Sequence, residues 1–368
     1  MDANVKSGRG KTDPAIGAVT STSSTVDASW EIDLFGAKRK ASEAADARLT
    51  ARNADWHDLR VSLAAEVANS LVTYRACEEM ASLLKQDLSS REKTSVLTMQ
   101  KVKAGFTAPS DGALIEASTA AARQQLISQR AECDLNIKAL VALTDIAEPA
   151  LRAKLGIRRN LPRPKEIAIS TVPAQVLSQR PDIASAEREL AAASADINVA
   201  EANRYPRISL LGSIGNTAVR AGSGNSNFGT WSFGPSLSLP LFDGGRRKAD
   251  VDSSQGRYEE MLGLYQQKVR AAVREIEEAL VRLDSAARRE SDAQKAALNY
   301  GKFFKATEDQ FGAGTGSLLD LEEARRSMLS ARQTVIGVQR DRVSAWIALY
   351  KALGGGWSAN SAVPAPKR

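Results

Sequence analysis

Two stretches of 68 residues each, Ala37 to Ala104 and Arg246 to Ala313, contain no proline, and the first contains no glycine either. The second carries only Gly256, Gly263, Gly301 and, near its end, Gly312. Proline breaks a helix interior by removing a hydrogen bond and crowding the preceding turn, so a chain that avoids it this long is free to stay helical. At ~1.5 Å per residue each stretch predicts a helix on the order of 100 Å. Helices of that length belong to coiled coils and repeat arrays more than to a single core. The apolar spacing agrees. Leu262, Tyr265, Val269, Ala272, Ile276, Ala279 and Leu283 step by three and four, and the same rhythm runs from Leu321 to Leu349. Return helices are predicted over about 111–147 and 317–353, with another at roughly 181–204. Such narrow, alanine-rich seams suit a sheet of packed helices or a helical tube.

Segments of period two lie between the helices. Trp231, Phe233, Pro235, Leu237, Leu239 and Leu241 alternate with Ser232, Gly234, Ser236, Ser238 and Pro240. A similar pattern starts at Arg207, and Ala28, Trp30, Ile32 and Leu34 alternate with Ser29, Glu31 and Asp33. One apolar and one small-polar face is a strand signal. The Gly/Ser/Asn-rich segment 216–230 reads as the loop of a hairpin. By periodicity such strands fit a membrane barrel or one face of a β-sandwich. Trp30 and Trp231 are candidates for a membrane interface, where an indole is at home, or for ordinary strand packing.

Composition removes several classes. One histidine, His57, and two cysteines, Cys77 and Cys133, cannot build a four-ligand zinc site, so no metal or cofactor is expected. No phosphate-binding loop and no nucleophile–base pair stands out, so an enzyme is not expected. The 50 Lys and Arg exceed the 43 Asp and Glu by seven, but the signs are interleaved. That marks a solvated helical surface and no nucleic-acid stripe. No apolar run is long enough for a transmembrane helix, and the first residues contain no signal-peptide core. Cys77 and Cys133 each lie 28 residues from Gly105. A first turn lengthened by Ala108-Pro109-Ser110 would leave them out of level, so two unpaired, buried thiols are expected.

The chain repeats at a spacing of about 208 residues. Leu34-Phe35-Gly36 with Lys38-Arg39-Lys40-Ala41 is echoed by Leu241-Phe242-Asp243-Gly244 with Arg246-Arg247-Lys248-Ala249. Five segments follow: a divergent 1–27, a first repeat 28–156, a linker 157–180, a second repeat 181–357 and a disordered tail 358–368. The first repeat lacks the leading helix of the second. The chain therefore reads as N-terminally incomplete, from a start further upstream or a decaying copy.

The block Ala28-Ser29-Trp30-Glu31-Ile32-Asp33-Leu34-Phe35-Gly36 resembles the TolC-like outer-membrane efflux channels, closest to the NodT-like lipoprotein branch that serves RND pumps. So do Arg180-Pro181-Asp182-Ile183, Tyr205-Pro206-Arg207-Ile208-Ser209-Leu210, Pro240-Leu241-Phe242-Asp243-Gly244-Gly245-Arg246 and Ala352-Leu353-Gly354-Gly355-Gly356-Trp357. The resemblance runs from about 28 to 357. It implies a mainly α fold with β: long helical hairpins in a periplasmic barrel, and a few strands in a shared twelve-stranded transmembrane β-barrel. It implies a homotrimer in outer-membrane lipid, working as a passive duct with a periplasmic adaptor and an inner-membrane pump. It places Asp320 and Glu323 at the pore gate and Gly105, Phe106, Gly314 and Thr315 at the adaptor-docking turns. Where some relatives carry an aspartate and a locking arginine, this chain has Ala113 and Gly316. From spacing alone, Asp320 reads as helix N-terminal charge and Glu323 as ordinary surface. A soluble coiled-coil structural or adaptor protein is the alternative reading.

Overall fold

Each long helix begins on an aspartate that its own strand–helix junction supplies. In the computed structural model, Asp33 accepts from the backbone N–H groups of Lys38 and Arg39 at 3.1 and 2.9 Å, opening α1, Ala37–Lys103. Asp243 accepts from those of Gly245 and Arg247 at 3.0 and 3.2 Å, at the start of α5, Arg246–Gly312. Each satisfies donors that a helix start leaves unpaired. Both helices are 67 residues long. The structure describes residues 1–11, 18–156, 161, 162, 164, 177–221 and 224–358. Most of the expected 157–180 linker, and the tail from 359 on, lie outside them.

The remaining helices are α2, Pro109–Thr144; α3, Glu148–Gly156; α4, Pro181–Ala202; and α6, Leu318–Ala352. The sequence pattern does not foresee the short α3. Four strands, β1 Asp2–Gly10, β2 Val19–Ile32, β3 Arg207–Ala221 and β4 Gly224–Ser238, form one antiparallel sheet in that order. The expected boundary at residue 28 therefore falls inside β2, and residues 1–27 hold a further strand. The mixed polar and glycine residues of β1 and the Ser- and Thr-rich first half of β2 carry little hydrophobic contrast, the signal by which strands are read from sequence. Most of the expected 216–230 loop is likewise strand.

The chain divides into two units. The first comprises Met1–Asn53 and Ser185–Gln267, which hold the sheet. Within it Ala44 of α1 packs on Ala192 and Ala195 of α4, flanked by ion pairs Arg48–Asp196 and Arg52–Glu189. The small residues let the helices approach closely. The second unit comprises Ala54–Ala184 and Lys268–Arg368. There Ile115, Phe304, Phe311, Leu318, Leu321, Ala324 and Met328 form one apolar cluster. Arg180 is buried at the N-terminus of α4, bonded to Asp182, Glu275 and the carbonyl of Ala352. Burial alone would raise the Asp182 carboxyl; the Arg180 bond and charge outweigh it and hold it below its ordinary value.

Candidate functional site

The sheet of the first unit has two chemically different faces. Registered across β2, β3 and β4, Ile32–Ile208–Leu237, Trp30–Leu210–Pro235, Ala28–Gly212–Phe233 and Val26–Ile214–Trp231 stack on one face. The next level on that face is Ser24–Asn216–Gly229, and the band stops there. Four levels two residues apart span about 20 Å along the strands. The opposite face carries Asp27, Ser29, Glu31, Ser209, Ser213, Ser232 and Ser236, with Leu211 the one large apolar side chain among them. Trp231, 81% exposed, stands at one rim of the apolar band, and Trp30, 63% exposed, lies one level from the other. Among the described residues, β1 and β4 each keep one edge without a strand partner.

In the second unit the two helical hairpins end in matched turns. Phe106 N–H donates to the Lys101 carbonyl at 2.9 Å and Gly105 N–H to that of Val102 at 3.1 Å. Thr315 and Gly314 repeat this pattern onto Gln310 and Phe311 at 3.0 and 3.2 Å. Both glycines have positive φ, +75° and +81°, which a residue with a Cβ adopts only with strain. The following helix starts at Pro109 in one case and Leu318 in the other, four residues after the glycine each time. The first turn is therefore no longer than the second, contrary to the sequence expectation, because Pro109 and Ser110 are already helical. Phe106 is 83% exposed at its tip. Lys101 links the tips by donating to the Phe311 carbonyl at 3.3 Å, with its ammonium 4.6 Å from the Phe311 ring centre.

Equal turns bring the cysteines level. Cys77 and Cys133 form a disulfide with Cα atoms 5.5 Å apart, which corrects the expectation of two free thiols. Asp320 and Glu323 both lie on the exposed face of α6. Asp320 is engaged at the helix start: its N–H donates to the Ser317 hydroxyl at 3.1 Å, and that hydroxyl donates back to its carboxylate at 2.6 Å. Glu323 pairs with Arg326 at 2.9 Å. A side chain at Gly316 would come within 3.0 Å of the Phe311 backbone nitrogen, so glycine suits the tight turn. Ala113 is exposed on α2, with Asp111 and Glu116 nearby.

Sequence reasoning missed a buried charge network on the other face of the same stretch of α6. Arg91 of α1 bonds Asp87 at 2.9 Å and also Glu322 of α6. Arg325, 0% exposed, donates to the Thr94 hydroxyl at 2.9 Å, and its Nε lies 3.3 Å from Glu322. Its guanidinium also sits 5.3 Å from the Phe304 ring centre, and burial pushes its pKa down. Partners 231 residues apart leave no local signature. Among the described residues no His, Cys, Asp and Glu group is placed to hold a metal ion.

The family model described as "Outer membrane efflux protein" matches residues 2–144 and 172–355. The solvent efflux pump outer membrane protein SrpC of Pseudomonas putida is 30% identical over 341 residues, covering 89% of this chain and 70% of that protein. Outer membrane protein OprJ of Pseudomonas aeruginosa is 32% identical over 331 residues, covering 89% of this chain and 68% of that one. Among solved structures, the outer-membrane channel OprN superposes with a TM-score of 0.84 at 29% identity, over 97% of this chain and 81% of that one.

Proposed function

This chain belongs to the outer membrane efflux protein family, and from that premise we propose that it is the channel subunit of a tripartite efflux system. It acts as a passive exit duct for small molecules. The single observation that carries the reading is the two-faced sheet with two unpaired edges. An open sheet cannot sit in lipid, where each unpaired backbone group costs several kcal/mol; closing it with copies of itself removes the edges. Three copies give a twelve-stranded barrel with the apolar band toward lipid and the serine-lined face toward water. Trp30 and Trp231, near the two rims of that band, anchor it at the headgroup levels. No helix among the described residues is long and apolar enough to cross a membrane, so in this reading the strands make the crossing.

The helices continue the duct through the periplasm. The Cys77–Cys133 disulfide supports this placement, since such bonds persist in oxidising compartments such as the bacterial periplasm. The turns at Gly105-Phe106 and Gly314-Thr315 dock the periplasmic adaptor, with exposed Phe106 as an apolar contact, and an inner-membrane pump supplies the energy. Asp320 and Glu323 of three subunits put six carboxylates around the narrow end, attracting cations. Ser317 and Arg326 moderate their mutual repulsion.

The test is conduction. Purified protein in planar bilayers forms pores, and Asp320→Ala with Glu323→Ala raises single-channel conductance and weakens block by multivalent cations. Pores with unchanged conductance remove the two residues from the gate. A protein that leaves the cell in detergent-free extracts and forms no pores removes the duct itself.

A further inference from the structure

We propose that the Cys77–Cys133 disulfide is an oxidative modification that the α1–α2 hairpin acquires while it folds, and that trimer assembly waits on it. The donor is a disulfide-carrying oxidant of the exported compartment, so this rests on the localisation proposed above. Both sulfurs are buried, with Cys77 at 6% and Cys133 at 4% exposure. They share a cluster with Tyr74, Ile137 and Leu140, and Leu151 and Leu155 of α3 belong to the same cluster. Arg75 pins the end of α3 by donating to the Leu155 carbonyl at 2.7 Å, and Arg152 ties α3 to Asp134 of α2 at 2.7 Å. Apart from a small cavity at Cys77 lined by Met80, Gln129 and Ile336, the pair is enclosed. A disulfide-carrying protein must reach one thiol to form the mixed disulfide, so the bond forms before the helices close around the pair.

The chemistry balances. One cysteine thiolate attacks the oxidant's disulfide, the other displaces the oxidant from the mixed disulfide, and the oxidant departs as a dithiol carrying the two electrons and two protons. With two cysteines in the chain, one intramolecular pairing exists and no isomerisation is needed. The bond holds register. A slip of one helical turn between α1 and α2 would displace by about 5.4 Å every residue that α2 offers to a neighbouring chain. The second hairpin has no such bond: the positions 28 residues either side of Gly314 are Ala286 and Arg342, and Arg342 pairs with Glu290 at 2.8 Å instead.

Thiol trapping with a mass-tagged maleimide, combined with the yield of SDS-resistant trimer, tests this. Dithiothreitol added to folded trimer leaves the thiols untagged and the trimer intact. The same reductant present during synthesis yields doubly tagged chains and lowers trimer several-fold. A Cys77→Ala/Cys133→Ala protein shows that low yield with or without reductant. Wild-type protein made reduced but assembling in full yield overturns the proposal, as do free thiols in the assembled, membrane-located trimer. Free thiols in a chain that fractionates with soluble cytoplasm would instead overturn the localisation, a separable result because neither readout depends on conduction.

Discussion

Replacing Arg325 by methionine removes a guanidinium from a site with no solvent access while keeping most of its volume. The network then holds the carboxylates of Asp87 and Glu322 against Arg91 alone, leaving one buried negative charge uncompensated. At 3.3 Å and an effective dielectric of about 20, the Arg325–Glu322 attraction is on the order of 5 kcal/mol. Desolvation of both groups offsets much of that in the intact protein, but the single replacement forfeits the attraction without recovering Glu322's desolvation. Breaking one partner of a buried pair typically costs about 3–5 kcal/mol, whereas exchanging both for apolar residues of similar size is near neutral. The expected loss for Arg325→Met is thus about 3–5 kcal/mol per chain, or roughly 4–6 °C in melting temperature for a protein of this size. Arg325→Met combined with Glu322→Leu should recover most of it, leaving Arg91 with Asp87 as a balanced pair. Thermal unfolding of the purified protein, followed by circular dichroism for wild type, both single variants and the double, gives the coupling directly. A single variant melting within about 2 °C of wild type, or single effects that simply add in the double, would refute the account.

Two glycines of positive φ separate backbone strain from crowding. Gly105 has open space where a Cβ would go, so Gly105→Ala should cost about 1 kcal/mol from conformation alone. A Cβ at Gly354, φ +89°, would overlap the Gln179 carbonyl oxygen, so Gly354→Ala should cost roughly 2–4 kcal/mol; equal melting losses would defeat this distinction. Asp58 titrates the other way from Asp182. Burial, then the Asp182 charge, raises its carboxyl above the ordinary 3.8 against the pull of Lys351, Lys268 and Arg180. The folded state then binds the proton more tightly than the unfolded one, so stability falls as pH rises from 3.8 through the raised value. Asp58→Asn should accordingly melt higher than wild type at pH 7, with the gain vanishing below about pH 3.8; a gain that grows on acidification would contradict the sign.

The helices were legible because their causes are local. An absence of proline and a three-four apolar step operate within a few residues, so α1, α5 and their returns can be read directly from the chain. The apolar face of β2, β3 and β4 was legible for the same reason, through its period of two. By contrast, β1 and the first half of β2 have few apolar residues and no clear apolar face, so hydrogen bonding to partner strands is what fixes them. Whether Cys77 meets Cys133 depends on which residue of the turn first becomes helical, a difference of a few residues that moves the sulfurs into or out of reach. Asp87, Arg91, Glu322 and Arg325 look like ordinary charges of a solvated helix face in the sequence. Only the packing of α1 against α6 strips their water and makes them depend on one another, because desolvation is a property of neighbours that the chain brings together from 231 residues apart.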